Sequence, residues 1–343
     1  MKVNRKSLLQ VLESVAPGLA AKENIEQSTC FVFHDGHVLT FNDEVACSRK
    51  SPLETTGAVR AKPLLDLLSK LSEDEIDVDV SSNKITIKGQ RKKSEIRMES
   101  EVLLPVEAIE RPKKDQWKEL HPDFSEAVNI VHNCASKEES EFVLTCVHLD
   151  SGCVEATDRF QIARYPIELN VNGSVLVRAS SIKSVVGFDM TEIAQTDSWV
   201  HFRNPAGLLL SCRQYVEEYK NLAPFLSIEG LKSLTLPGGL DEVISRARIF
   251  SEDNLAGNHV SIELSEGRVV IQGEGVTGSH KEMKAINYSG EPMKFRVAPD
   301  LLVEISKKGN ECKIDENRLV VDTGKFRYAT CLEAPNEQEE GSE

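Results

Sequence analysis

The chain has 343 residues, 40% hydrophobic and 28% charged, a soluble globular composition on a chain too long for one ordinary core. Its formal net charge of −14 excludes a protein that coats nucleic acid with its whole surface, though not one that presents a single basic face. No apolar run approaches the ~20 residues of a spanning helix, and eight cysteines without C-x-x-C or Cys/His ligand spacing argue against structural zinc.

The start, MKVNRKSLLQVLESV, carries apolar residues at i, i+3, i+4 and i+7 from Leu8. That spacing predicts an amphipathic helix opening near Lys6 rather than a signal peptide, and a cytoplasmic protein. CFVF-HDGH-VLTF from Cys30 predicts a hairpin, with Asp35-Gly36 supplying the turn. His34 and His37 flank that turn without a third ligand and read as solvated side chains. VRAKPLL at Val59 opens a second helix, and IDVDV-SSNK-ITIKG from Ile76 a second hairpin. A linker-like loop spans Glu107–Asp123, and a third helix starts at Phe124 behind Pro122-Asp123. FVLTCVHL-DSG-CVEATD predicts a strand from Phe142 and a third hairpin; VRASSI at Val177 opens a fourth helix. WVHF-RNPAG-LLLSC from Trp199 is the next hairpin, and Leu226–Thr235 a second linker-like loop. A fifth helix follows Pro237-Gly238-Gly239, then the hairpin VSIEL-SEG-RVVIQG, a sixth helix opened by FRVAPDLL at Phe295, and the hairpin CKID-ENR-LVVD from Cys312. Most cysteines, such as Cys30 and Cys212, occupy apolar strand positions and read as reduced core thiols.

Three of the helix openings share a pattern. Ala61, Ala179 and Ala298 lie about 118 residues apart, each after a short β-like run and before proline or serine in the first turn. Helix starts near residues 6, 62, 122, 179, 239 and 298 give a finer period of about 56–60 residues. The expectation is an α+β chain in which a helix-plus-strands unit occurs six times, paired into three domains at residues 1–115, 116–230 and 231–334. Residues 335–343 then form an acidic, disordered tail.

Between the third hairpin and the following strand stands VEATDRFQIARYP. Asp and Arg suit a strand-to-strand turn, with an Asp158–Arg159 ion pair as the plain structural reading. A catalytic reading would use Asp158 and Glu155 as acid and base. No nucleophile, metal motif or second base accompanies them, so the turn is the better reading and no catalytic residue is assigned.

The segment ATDRFQIA resembles the A-T-D-[small]-H-R-L-A motif of the DNA polymerase III β sliding-clamp family of bacteria and phages. MKVNRKSLLQVLESVAPGLAAK, TGAVRAKPLLDLLSKLSEDEIDV, NKITIKGQRKKSEIRM, EFVLTCVHL and YVEEYKNLAPF resemble other parts of the family in the same order, so the likeness covers about residues 1–332. The resemblance implies three clamp domains, each of two βαβββ-type units, with helices inside and sheets outside a ring closed by a homodimer. It implies a non-catalytic processivity factor in the cytoplasm, at the nucleoid, with no cofactor and no metal. Its partners would be encircled double-stranded DNA without sequence preference, a replicative DNA polymerase and a clamp loader, and no membrane. Lys22 falls where the family places a DNA-contacting arginine, and Arg5, Lys6, Lys62, Lys183, Arg246 and Lys307 are the other cations expected on the inner face. A partner-peptide pocket is implied at Leu144, Thr157, Arg159, Phe160, Ile162, Asn221, Leu222, Ala329, Cys331 and Leu332. Ile249 and Phe250 align with the family's apolar interface pair, and Ile96 and Met98 with the facing strand.

The departures are specific. The family's glycine and histidine are here Arg159 and Phe160, its arginine before the strand is Glu141, and its Met-Pro-Met-Arg-Leu-type ending is Thr330-Cys331-Leu332-Glu333-Ala334. Phe160 predicts a shallower, more apolar pocket, and the glutamates from Glu333 onward predict a lip that favours basic peptides. Sparse basic residues on the helices leave a second possibility, a diverged clamp-fold scaffold that binds partners without encircling DNA.

Overall fold

The computed structural model describes residues 1–81, 83–252 and 258–335; the acidic tail lies outside the described residues from 336 on. A short strand precedes each helix, in some cases running directly into it, because the strand ends near where an apolar stripe of period 3.6 begins. β1 (Lys2–Asn4) feeds α1 (Arg5–Val15), whose start is fixed by the Asn4 side chain accepting from the Ser7 backbone N–H at 2.9 Å. β2 (Cys30–His34), β3 (His37–Phe41), β4 (Val45–Lys50) and β5 (Gly57–Arg60) follow, and β5 feeds α2 (Ala61–Lys70). Next come β6 (Glu75–Ser81), β7 (Lys84–Gly89), β8 (Lys92–Glu99) and β9 (Lys118–Glu119), then α3 (Phe124–Val131). β10 (Cys146–Asp150), β11 (Cys153–Thr157), β12 (Gln161–Pro166) and β13 (Val175–Arg178) lead to α4 (Ala179–Ile182), and β14 (Glu192–Gln195), β15 (Trp199–Arg203) and β16 (Leu209–Arg213) follow it. β17 (Lys232–Thr235) precedes α5 (Leu240–Ser251); β18 (Val260–Ser265), β19 (Arg268–Gly275), β20 (Gly278–Ala285) and β21 (Met293–Val297) lead to α6 (Pro299–Lys308). β22 (Glu311–Ile314), β23 (Arg318–Asp322) and β24 (Arg327–Cys331) close the described chain.

Two expectations change. The fourth helix is a single turn continued by a 3-10 turn over Lys183–Val185, because Ser180 and Ser181 hold helix weakly and Gly187 adopts φ +94° just beyond. Phe142–Thr145 is a 3-10 turn rather than a strand, closed by the Leu144 N–H donating to the Glu141 carbonyl and the Thr145 hydroxyl donating to the Phe142 carbonyl. The strand expected there begins at Cys146 instead.

Cα packing divides the chain into two compact units, residues 1–132 with 146–152 and 167–218, and residues 133–145 with 153–166 and 219–343. In the first, a twelve-stranded sheet runs β1-β6-β7-β8-β5-β2-β3-β4-β16-β15-β14-β9. The β4–β16 pairing, with Cys47 opposite Leu210, joins segments more than a hundred residues apart into one sheet. Side chains alternate across β2: Cys30 and Val32 pack in a cluster with Trp199, Leu39 and Leu104, covered by Val102, Val106 and Ile109. α1 packs on α2, placing Leu8, Leu12, Leu64 and Leu68 in the interior. In the second unit, β11-β12-β24-β23-β22-β17 form one sheet and β20-β19-β18-β21 another, with α5 packed on α6. Gly273 lets β19 approach α5, since a Cβ there would sit 1.8 Å from the Ala247 carbonyl oxygen.

All eight cysteines are free thiols; seven are buried and Cys331 is half-buried. Burial pushes the Cys47 and Cys312 thiols up to about 12, so they are inert core groups.

Candidate functional site

The turn between β11 and β12 is held by its own side chains. The Asp158 carboxylate accepts from the Phe160 and Gln161 backbone N–H groups, both at 2.9 Å, and from Gln161 Nε2 at 2.8 Å. Thr157 Oγ1 accepts from the Arg159 N–H and donates to the Gln161 carbonyl. A carboxylate accepting from three donors within its own turn serves to build that loop. The expected Asp158–Arg159 pair does not form: Arg159, in the left-handed region at φ +82°, pairs with Glu141 instead. The turn's product is Phe160, a large apolar side chain held 55% exposed.

Register then sorts the sheet face into rows. Cys331 donates its N–H to the Phe160 carbonyl and lies opposite Arg318. Two residues along, Thr157, Ile162, Ala329 and Val320 are successive cross-strand partners, and two further along are Glu155, Arg164, Arg327 and Asp322. Leu226, at the end of the 3-10 turn Ala223–Leu226, packs on the Ile162–Ala329–Val320 row together with Ile228 and Leu231. The Asn221 side chain starts that turn by accepting from the Ala223 N–H at 3.0 Å. Arg318 ties it to β23 by donating to the Pro224 and Phe225 carbonyls.

The expected pocket residues thus fall into three sets. Phe160, Arg159 and Asn221 are exposed; Leu144, Ile162 and Cys331 are half-buried; Thr157, Leu222, Ala329 and Leu332 are already buried. A cavity of about 340 Å³ opens on the same sheet, over the charged row, with Arg164, Arg327, Asp322, Leu226, Lys325 and Phe326 in its lining. None of the expected residues lines it. Only the alternation Phe160, Ile162, Arg164 hinted at this charged extension in the sequence. The Glu333 carboxylate of the lip sits 3.1 Å from His259 Nε2.

The expected DNA-facing cations differ among themselves. Arg5 is a correction: it is buried, with Nε donating to the Glu73 carbonyl and Nη1 to the Leu68 carbonyl, both at 2.8 Å, so it holds the end of α2 rather than facing solvent. Lys6 pairs with Asp74 at 2.9 Å, Lys307 with Glu304 at 2.7 Å, and Arg246 with Glu282 through two hydrogen bonds of 3.0 Å. Lys22, Lys62 and Lys183 are exposed and carry no ion pair among the described residues.

At the expected interface, Ile249 is 65% exposed, whereas Phe250 stacks on His280 with ring centroids 6.3 Å apart. Ile96 is half-buried. Met98 is another correction: at 4% exposure it belongs to the core, pressed against Gly57. Besides Ile249 on α5, Val276 and Met283 are large exposed apolar side chains on the β19–β20 hairpin, against which α5 packs. Among the described residues, no three His, Cys, Asp or Glu side chains are placed to hold a metal ion, and no helix is long and apolar enough to cross a membrane.

No protein-family model matches the chain, and a search of curated proteins returns no match. Solved structures do match. The DNA polymerase III β subunit of Thermotoga maritima superposes with a TM-score of 0.84 at 16% identity, covering 98% of this chain and 99% of that one. The Pseudomonas aeruginosa sliding clamp, solved with griselimycin, gives 0.82 at 15% identity over 98% and 99%. The β chain of Streptococcus pneumoniae gives 0.81 at 18% identity over 97% and 99%. The chain has the α+β fold of DNA polymerase III β-type sliding clamps over 97–98% of its length.

Proposed function

We propose that the chain is a non-catalytic DNA sliding clamp. In this reading three domains, at residues 1–115, 116–230 and 231–334, assemble as a head-to-tail homodimer around duplex DNA, and the Phe160 surface tethers a replicative polymerase and other partners. A clamp loader would open the ring, and the protein would work at the cytoplasmic nucleoid. The observation that carries the reading is the helix-plus-strands unit, which recurs six times among the described residues of a chain whose fold matches a sliding clamp over 98% of its length.

Two strand edges support the assembly. β20 is the terminal strand of its sheet, and β8 pairs with β5 only at Met98 and Glu99, leaving Lys92–Arg97 open on that side among the described residues. Open edges of this kind are liabilities unless another strand covers them. Met283 in β20, with Ile249 and Val276 beside it, adds apolar surface worth ~25 cal/mol per Å² when buried. Retention would be topological and electrostatic, through cations such as Lys22, Lys62 and Lys183, while the −14 charge repels phosphate elsewhere.

A scaffold that never encircles DNA is the second reading, favoured by Arg5, Lys6, Arg246 and Lys307 being committed to internal partners. Solution mass together with retention on nicked circular versus linearised DNA separates the two. A dimer kept on circles and lost from linear DNA is expected, and Ile249→Asp with Val276→Asp should give unretained monomers. A wild-type monomer, or a dimer that leaves circles as fast as linear DNA, overturns the clamp reading.

A further inference from the structure

The charged row beneath the 340 Å³ cavity has an unfavourable order. From β11 to β23 it runs Glu155, Arg164, Arg327, Asp322, with the acids outside and the two arginines as direct cross-strand partners. Residues so opposed have Cβ atoms about 4.5–5.5 Å apart, and like charges there repel. Each arginine has one outer carboxylate as its partner. Arg327 Nε donates to Asp322 at 2.8 Å and its Nη1 to the Leu226 carbonyl at 3.5 Å, and Arg164 stands 3.6 Å from Glu155, its only ion pair among the described residues. A guanidinium carries five N–H donors, so donors remain on both arginines at the floor of an open cavity. Lys325 adds a third cation, and Leu226 and Phe326 supply apolar walls.

We infer that this cavity takes a carboxylate of a bound partner peptide, bridging Arg164 and Arg327. The inference rests on the reading of Phe160 and its row as a peptide site. One carboxylate accepting from both arginines relieves their repulsion, and hydrogen bonds between ions are the stronger kind. The spacing is set by the strand: from Phe160 to Arg164 is four residues, about 13 Å. An extended peptide with its apolar anchor at Phe160 therefore reaches the arginines with a residue three or four positions away. The occupant is an acidic peptide with an apolar anchor, opposite in charge to the basic peptides expected from the Glu333 lip, because Arg164, Arg327 and Lys325 line the cavity; the Arg pair is a specificity determinant absent from the apolar pocket itself.

The probes are two ten-residue peptides with a central Leu-Phe, Ala-Ser on each side, and either two glutamates or two glutamines at each end. This symmetry presents an acid at the right spacing whichever way the chain runs. Binding is measured by fluorescence anisotropy at low and high salt to wild type, to Phe160→Ala, and to Arg164→Gln with Arg327→Gln. The glutamate peptide should bind wild type at least about fivefold tighter at low salt, and the advantage should fall below about twofold in the double variant or at high salt. Phe160→Ala should weaken both peptides alike. If the two peptides bind wild type equally while Phe160→Ala weakens both, the peptide site stands and the carboxylate site is wrong. If neither peptide binds, both readings fall. The comparison on wild type decides even if the double variant misfolds.

Discussion

Arg5 offers the cleanest separation of a structural cation from a DNA-facing one. Its guanidinium donates to the carbonyls of Leu68 and Glu73, and its backbone N–H donates to the Asp74 carbonyl. Leu68 lies in the last turn of α2, where carbonyls lack intrahelical partners. Each hydrogen bond from a charged donor contributes about 1.5 kcal/mol net, and loss of both strands a buried carbonyl. Arg5→Met keeps most of the apolar volume and removes both donors, so it should cost about 3 kcal/mol. For a unit of this size that is a melting point lowered by roughly 6–12 °C. Arg5→Lys should recover less than half, because one ammonium cannot reproduce the planar fork. The assay is thermal unfolding by circular dichroism, beside retention on circular DNA at a temperature where the variant is folded. Folded Arg5→Met should be retained like wild type. A melting point within about 1 °C of wild type would refute the structural assignment.

Arg159→Gly should raise stability by ~0.5–1 kcal/mol, because glycine adopts φ +82° without strain and the exposed pair with Glu141 contributes little; a loss beyond ~1 kcal/mol in urea unfolding would show that the ion pair dominates. His201 is fully buried between Ser211 and Thr196, and burial holds its pKa down at about 4. Its contribution is complete above the unfolded value of about 6.5 and is lost as pH falls toward 4, about 2 kcal/mol between pH 7 and pH 5. His201→Asn should reduce the pH 7-to-5 stability difference by about that amount; equal slopes in both proteins would be the contrary result. Lys22, Lys62 and Lys183 changed together to Glu should shorten residence on circular DNA more at low salt than at high, whereas Arg246→Gln, whose partner is Glu282, should do little. Equal effects from the two changes would remove the distinction between free and paired cations.

The regular elements were legible because they depend on local periodicity. Helices expected near residues 6, 62, 122, 179, 239 and 298 begin at Arg5, Ala61, Phe124, Ala179, Leu240 and Pro299. Two misreadings came from competition between local signals. FVLT has strand composition, yet its own N–H and hydroxyl groups close a 3-10 turn, and serines shorten the helix at Ala179. Side-chain partners were less accessible. Arg5 reads as a surface cation at a helix start until the end of α2, more than sixty residues away, supplies carbonyls for it.

The charged row shows where sequence reading stops for a β-rich site. The alternation Phe160, Ile162, Arg164 places three side chains on one face, and Arg327, Ala329, Cys331 does the same on another strand. Neither alternation says which row meets which. That is settled by pairing Ile162 with Ala329 and Ala329 with Val320, contacts between residues 167 and 9 apart in the sequence. A one-residue slip of β24 against β12 would exchange every face, setting Arg327 beside Ala163 and leaving no arginine pair. Tyr328 opposes that slip: its hydroxyl donates to Gln161, whose amide is held by Asp158 in the turn. The Thr-Asp-Arg turn therefore presents Phe160 and, through Gln161, helps fix the register that sets Arg164 against Arg327. One turn in the sequence thus underlies both the apolar anchor site and the charged extension, although only the first can be read from the turn itself.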